Sequence, residues 1–231
     1  MEYNSIYHLH VPRTAGIFIR NHISKSFNNK TQHISHSQPI YEKDISQYFL
    51  ISGHFGKYPI AFMNNPLVFS VIRHPVERYI SYYKYVKHKF PEFKNNELLD
   101  YWLYDDRISL LHSNTHLKFF TGEIDINKYN QYFVSPYTSE ENWFINNYSN
   151  NVQDGINFID NNHVFSFDNI NILTESICDL LKINQFKNLY KYNSSDKSDW
   201  GITKKQYDRI EQLNSLDMEL YEYVKNKEKK Y

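Results

Sequence analysis

Apolar residues in the first part of the chain repeat with two different periods. A short apolar alternation over residues 5–11 predicts a strand, and Ile19, Ile23 and Phe27 recur at the four-residue spacing of a helix over 17–27. Compact apolar runs at 48–52 and 67–72 predict two more strands. The run at 67–72 has Ser70 as its one polar residue, a pattern typical of a strand buried on both faces of a parallel sheet.

Helical spacing returns after this third strand. Pro75 suits the first turn of a helix, and apolar residues follow it at helical intervals. Thr203 and Gln206 match a capping box, which predicts the start of an amphipathic terminal helix continuing over 207–224. The pattern further predicts helices over 97–111, 114–120, 140–148, 152–159 and 173–181 and a strand over 163–167. Loops are predicted over 28–45, with a short helix within it as an alternative, and over 125–138 and 192–201.

Strands that alternate with helices predict one α/β sandwich domain over residues 1–231, with a mainly parallel central sheet. Ligands bind such sheets at the carboxyl ends of the strands. Three polar features fall at predicted strand ends: residues 12–16, His54, and the segment 73–75, which reads Arg-His-Pro. Their coincidence indicates a ligand site at that edge of the sheet.

The first of these features has the chemistry of an anion site. A loop that leads into a helix points backbone N–H groups and the positive end of the helix dipole at one place. Pro12 fixes the entry of the loop, Arg13 adds a permanent charge, Thr14 offers a hydroxyl, and Gly16 allows a close approach to the backbone. We therefore expect a phosphate or sulfate group to bind there.

Composition narrows the class of ligand. The 26 basic and 26 acidic residues cancel, so the basic surplus of a nonspecific nucleic-acid binder is missing. A single cysteine, Cys178, excludes an intramolecular disulfide and a cysteine metal cluster. His8 and His10 share a strand face, but no third ligand is near them in sequence, so no metal site is expected. No apolar run approaches the roughly 20 residues of a membrane span, and we expect a cytoplasmic protein without a leader.

Two segments of the chain, one after the first predicted strand and one after the third, resemble motifs of a known family. Residues 10–16, His-Val-Pro-Arg-Thr-Ala-Gly, are similar to the 5′-phosphosulfate loop of carbohydrate sulfotransferases related to the heparan sulfate 2-O- and 6-O-sulfotransferases, usually His-Ile-Pro-Lys-Thr-Ala-Gly. Residues 72–83 resemble their 3′-phosphate motif, an Arg-Asp-Pro followed by Arg and then by Ser-x-Tyr. Weaker similarities at 114–122, 173–176 and 216–221 extend the resemblance over most of the chain.

The resemblance implies a P-loop-like, three-layer α/β fold and a sulfotransferase that uses 3′-phosphoadenosine 5′-phosphosulfate. Members of the family transfer the sulfuryl group in line to an acceptor hydroxyl without a metal. The acceptor expected here is a carbohydrate or another small polar molecule. His54, in Ser-Gly-His-Phe, resembles the Gly-His of the 2-O-sulfotransferase branch, in which this histidine is the catalytic base.

The resemblance also assigns the donor contacts. Arg13 takes the place of the family lysine that stabilises the leaving phosphate, and Arg73 with Ser81 would bind the 3′-phosphate. The 5′-phosphate would be held by the Thr14 side chain and by the backbone amides of Ala15, Gly16 and Ile17. A polar loop over 192–201 corresponds to the family loop that closes over the nucleotide, and it adds Asn193, Ser194 and Lys197 as contacts.

Four positions depart from the family pattern. Arg13 replaces lysine, Ile17 and Phe18 replace Thr and Ser, and His74 replaces Asp. These departures leave open a non-catalytic module that binds an adenine nucleotide. A P-loop nucleotide kinase is a weaker alternative, because the chain has no Gly-x-x-x-x-Gly-Lys-Ser/Thr segment and no magnesium-binding hydroxyl after the loop.

Overall fold

Five parallel strands form the central sheet of the protein. The computed structural model describes residues 3–27, 30, 32–34, 39–89, 97–127, 145–168, 170–184 and 201–229. Its strands are β1 (Ser5–Leu9), β2 (Gln32–Ile34), β3 (Leu50–Gly53), β4 (Pro66–Ile72), β5 (Glu123–Ile124), β6 (Ile145–Asn146) and β7 (His163–Ser166). The central sheet has the order β2-β3-β1-β4-β7 with every pair parallel, and β5 with β6 forms a separate antiparallel pair.

Helices connect the strands and follow them at the carboxyl end of the chain. They are α1 (Gly16–Ser26), α2 (Glu42–Ile45), α3 (Pro75–Lys89), α4 (Glu97–Tyr104), α5 (Asp106–His112), α6 (Thr115–Thr121), α7 (Val152–Asn161), α8 (Ile170–Leu181), α9 (Lys204–Leu213) and α10 (Ser215–Glu228), with a 3₁₀ turn at Tyr58–Ala61. The capping box at the start of α9 is confirmed: the Thr203 hydroxyl accepts from the Gln206 amide, and the Gln206 side chain accepts from the Thr203 amide. Among the described helices, none combines the length and apolar character needed to cross a membrane.

The sheet is covered on both faces because its strand residues alternate in direction. Ile6 on β1 packs with residues of α1 and α8, such as Ile23 and Ile177. Its neighbour Tyr7 belongs to the opposite cluster, which includes residues of α6, α7 and α10. A third cluster joins α3, α4 and α9. The predicted α/β class with a parallel central sheet is thus confirmed, and the arrangement is compatible with the predicted sandwich, while the single domain over 1–231 stays a prediction.

Several predicted element boundaries are wrong. Strand β2 lies inside the predicted loop 28–45, and residues 145–146 of the predicted helix 140–148 form β6 instead. The predicted helix over 97–111 is two helices separated at Asp105, and the terminal helix breaks at Asn214. Strands of two or three residues are too short to show alternation, and the break at Asn214 depends on contacts with a distant segment, described below.

The order of the strands opens a crevice beside β1. The chain leaves β1 toward β2 on one side of the sheet, and leaves β4 toward β7 on the other. Because β1 and β4 are neighbours, their outgoing loops diverge at the carboxyl edge, the place where open α/β sheets bind ligands. The loop with Arg13 and the turn with Arg73 therefore flank this topological switch point.

A candidate anion site at the carboxyl ends of the central strands

The loop between β1 and α1 is tight and held in unusual backbone conformations. Arg13 and Ala15 adopt left-handed conformations with φ of 71° and 63°. The Thr14 hydroxyl donates to the Val11 carbonyl at 2.8 Å, and its side chain is fully buried. Left-handed residues other than glycine cost about 1 kcal/mol or more and tend to occur at ligand sites. The Thr14 hydroxyl thus shapes the loop, and its proton is already engaged within the protein.

Helix α1 begins without a side-chain cap. Its N-cap is Ala15, whose methyl group cannot accept a hydrogen bond, and the Ile19 amide donates to the Ala15 carbonyl at 3.1 Å. The amides of a first helical turn have no partner within their own helix, and they carry the positive end of the helix dipole. In α1, the amides of Gly16 and Ile17 belong to this turn, so the helix start suits an anion.

Gly16 has a close neighbour that its sequence does not predict. A Cβ atom at this position would overlap the imidazole ring of His10. The group that approaches the Gly16 backbone on this side is therefore a histidine of the same chain. The Gly16 amide belongs to the first turn of α1, so the approach of an anion to that amide stays a prediction.

Three of the predicted donor contacts meet at the switch point. The Arg13 Nε–H donates to the Ser81 hydroxyl at 3.2 Å, and Arg73 Nη1 donates to the Arg13 carbonyl at 3.4 Å. Arg13 also lies over the Tyr85 ring, 5.0 Å from its centroid. The loop after β1 thus meets the turn after β4 and helix α3, although Arg13 precedes Arg73 by 60 positions and Ser81 by 68.

The two guanidinium groups make this place electropositive. Burial lowers the pKa of Arg13 and of Arg73, and the charge of Arg13 lowers the pKa of Arg73 further, whereas Glu77 raises it. The Glu77 carboxylate lies 3.6 Å from Arg73, whose side chain is only 16% exposed. Arg73 Nε is buried and has no hydrogen-bond partner among the described residues. A bound anion would supply that partner and offset the repulsion between the two cations.

His54 lies beside the anion loop, and one hydrogen bond fixes which of its ring nitrogens carries a proton in the neutral form. It follows β3 directly, is 8% exposed, and its Nδ1 lies 2.6 Å from the His10 carbonyl oxygen. A carbonyl oxygen only accepts, so Nδ1 must carry the proton, and the neutral ring then has its basic lone pair on Nε2. This is the tautomer that a general base needs.

His8, His10 and His54 form a row along the ends of β1 and β3. Ring centroids are 5.4 Å apart between His8 and His10, and 4.3 Å apart between His10 and His54. Burial is the largest cause that lowers the pKa of His8 to about 3, and the nearby His54 and Arg20 lower it further. Within the part of the chain that the structure describes, no three histidine, cysteine or acidic side chains are grouped so as to hold a metal.

Sequence reasoning missed a buried polar group behind Arg73. The Arg73 amide donates to His116 Nε2 at 3.2 Å, and His116 Nδ1 lies 3.0 Å from Asp217 Oδ2. His116 and Asp217 are both completely buried. The available signal was an acidic residue on the otherwise apolar face of the terminal helix, at a position inside the weak similarity 216–221.

Arg78, the second arginine of the motif, is also buried rather than in the crevice. It is 2% exposed, and Nη2 donates to the His112 carbonyl at 3.1 Å. Burial lowers its pKa, while the Asp217 carboxylate opposes that shift. Arg78 therefore stabilises the packing of α3 against α5 and does not offer its charge to a ligand.

Three predicted contacts lie outside the described residues, namely Asn193, Ser194 and Lys197. Ile17, where the sulfotransferase motif that the loop resembles has a hydroxyl, is 52% exposed at the start of α1.

A scan against models of known protein families finds no match for this chain, and a search of curated proteins finds none either.

Proposed function

We propose that the chain is a sulfotransferase that uses 3′-phosphoadenosine 5′-phosphosulfate and transfers the sulfuryl group to an acceptor hydroxyl, on a sugar or another small polar molecule. The observation that carries the proposal is the meeting of Arg13, Arg73 and Ser81 at the switch point between β1 and β4. The resemblance of the two motifs gave the same residues independently. A P-loop-like arrangement, in which the loop after β1 leads into α1, is part of the proposal.

The donor would lie across the crevice with one phosphate at each loop. The amides of Ala15, Gly16 and Ile17 would face the 5′-phosphosulfate at the positive end of α1. Arg73 and Ser81 would hold the 3′-phosphate, and the buried Nε of Arg73 would gain a partner there. Thr14 would act by fixing the shape of the loop, because its hydroxyl already donates a hydrogen bond to the Val11 carbonyl.

The transfer needs positioning and charge stabilisation more than covalent catalysis. The bond from sulfur to the bridging oxygen breaks, and a bond from sulfur to the acceptor oxygen forms. The acceptor proton passes to Nε2 of His54, and the negative charge that develops on the leaving 5′-phosphate is stabilised by Arg13. An arginine keeps its proton at any physiological pH, so Arg13 acts as a charge and not as an acid.

A non-catalytic nucleotide-binding module is the second candidate. Its support is the engagement of donors that a transferase would aim at the sulfuryl group: Arg13 already bonds Ser81, and Thr14 already bonds Val11. Ile17 also offers no hydroxyl at the helix start. Such a protein would bind adenosine 3′,5′-bisphosphate and turn nothing over.

A thermal-shift experiment tests the ligand class first. Adenosine 3′,5′-bisphosphate at 100 times its Kd should stabilise the fold by about 2.7 kcal/mol, and ADP at the same concentration should stabilise it clearly less. The R73A variant should lose the preference for the bisphosphate. The K204A variant removes an equal charge from an exposed side chain of α9 and should keep it. Equal shifts with both nucleotides, or an unchanged R73A, would contradict the assignment.

A turnover assay then separates the two candidates. The labelled donor is incubated with a panel of sugars and other small alcohols, in parallel with and without magnesium, and the bisphosphate product is measured. Product formation supports the transferase. Tight bisphosphate binding with no product from any acceptor supports the binding module, and a strict need for magnesium would favour a kinase.

A further inference from the structure

A buried polar seam joins helix α6 to the break between α9 and α10. We define this polar seam as Asn114, His116, Asn214 and Asp217. The Asn114 amide donates to Asn214 Oδ1 at 3.1 Å, and the Asp217 amide donates to Asn114 Oδ1 at 3.2 Å. These reciprocal bonds connect segments that are one hundred residues apart. They explain why the terminal helix breaks at Asn214.

Asp217 fixes the first turn of α6 through both of its carboxylate oxygens. Oδ2 accepts from the His116 amide at 2.9 Å, and Oδ1 accepts from the Leu117 amide at 2.8 Å. A carboxylate at this end of a helix is favoured by the helix dipole. The same Oδ2 lies 3.0 Å from His116 Nδ1, so the imidazole is held against the carboxylate in one orientation.

The contacts of His116 determine its tautomer. The Arg73 backbone N–H can only donate, so Nε2, at 3.2 Å, must accept and is unprotonated. Nδ1 therefore carries the proton and donates to Asp217. The neutral ring is fully buried and both of its nitrogens are hydrogen-bonded, so it is held in a single orientation. The chain of bonds runs without a gap from α10 to the turn after β4.

We propose that His116 is a positioning residue that holds the backbone of Arg73 and thereby sets the guanidinium of Arg73 at the anion site. The inference rests on the proposed function for its ligand, but the hydrogen bond itself does not. Arg73 is the first residue after β4, and its side chain reaches the Arg13 carbonyl and Glu77 from there. Without the bond from its amide to His116, the turn would lose a fixed point, and the guanidinium would spread over more orientations.

Two substitutions divide the contacts of His116 between them. In H116Q, the side-chain oxygen reaches the place of Nε2 and can accept from the Arg73 amide, but nothing donates to Asp217 from the place of Nδ1. In H116N, the side-chain NH₂ stands near the place of Nδ1 and can donate to Asp217, but it cannot reach the Arg73 amide. A purely structural role for His116, acting through Asp217, would make H116Q the more damaging variant.

The experiment measures two properties of both variants and of the unaltered protein. The first is hydrogen exchange at the Arg73 amide, followed by NMR, which is expected to be at least about tenfold faster in H116N than in H116Q. The second is the Kd for adenosine 3′,5′-bisphosphate. H116N should weaken binding roughly 3- to 10-fold, the worth of one buried hydrogen bond, and H116Q should remain within about twofold of the unaltered protein.

The outcomes separate the inference from the function on which it rests. Slow Arg73 exchange in H116N, or equal bisphosphate affinities for the two variants, would overturn the positioning role. If the unaltered protein does not bind the bisphosphate, the proposed function fails, and the exchange at Arg73 still decides whether His116 holds that backbone. If neither variant folds, ¹⁵N NMR of the unaltered protein decides, because a protonated Nε2 on His116 would refute the arrangement.

Discussion

The buried histidine His8 predicts a steep loss of stability in mild acid. His8 lies in the middle of the sheet with no exposed surface, stacks on Phe69 at 4.6 Å, and its Nδ1 is 2.9 Å from the Ser52 hydroxyl. Burial is the main cause that lowers its pKa to about 3. In the unfolded chain the same group titrates near the ordinary value of about 6.5.

The sign and size follow from these two pKa values. Below pH 6.5, His8 binds a proton in the unfolded chain but not in the folded protein. The free energy of unfolding therefore falls as the pH falls, by about 1.4 kcal/mol per pH unit. His112, half-buried and stacked on Trp102, also has a pKa lowered to about 3, mainly by desolvation. Together the two histidines should remove about 4 kcal/mol between pH 7.5 and pH 5.0, a large part of the 5–15 kcal/mol of a typical domain.

Urea unfolding at 25 °C, repeated from pH 7.5 to pH 5.0, measures this loss. The H8N variant keeps a polar group near Ser52 and cannot take up the proton, so its loss over the same range should be about 2 kcal/mol smaller. Its stability at pH 7.5 should also be lower, because the contact with Phe69 is lost. H88N is the control, since the exposed ring of His88 meets water in both states.

The comparison of slopes decides the result. His116 and His163 have pKa values lowered in the same direction, so they add to the loss in every variant and cancel in the difference. A pH dependence of H8N equal to that of the unaltered protein would refute the reasoning, because His8 would then take up its proton equally in both states.

Three further predictions concern the site. H54A should leave the Kd for adenosine 3′,5′-bisphosphate near normal and slow transfer by about 10²-fold or more, as expected for loss of a general base, and full activity in a transfer assay would exclude that role. R13K should keep or raise the transfer rate if position 13 supplies only a positive charge, whereas an inactive R13K would show that bidentate hydrogen bonding by the guanidinium is needed. G16A should lower the free energy of unfolding in urea by about 1–3 kcal/mol despite the better helix propensity of alanine, because the new methyl group meets the His10 ring. Most of that loss should vanish in the H10A background, and additive losses in the double-mutant cycle would contradict the predicted contact.

The sequence predicts those parts of the fold that depend on local patterns. Apolar runs locate β1, β3 and β4, and the loop motif after β1 is visible because a proline, an arginine and a glycine stand close together. The convergence of Arg13 and Arg73 follows from the parallel sheet, since the carboxyl ends of neighbouring strands share one edge. The rule needs only that the two strands be neighbours.

The residues that the sequence does not reveal are those whose partners are distant. Asp217 looks like one polar residue on a helix, and its role becomes clear only when α6 is placed against it. The contact between His10 and Gly16 is missed for the same reason: the Cβ side of the glycine is filled by the ring of His10, six residues earlier in the chain. Spacing along one element carries no information about such contacts.

His10 links the two halves of the proposed chemistry. Its ring occupies the space beside Gly16 at the start of α1, and its carbonyl oxygen accepts the hydrogen bond from His54 Nδ1. A displacement of this one residue would tilt the helix amides and turn the imidazole at the same time. If the proposed chemistry holds, we expect a change of acceptor to require the backbone at position 10 to stay in place, with the substitutions falling in the surrounding loops.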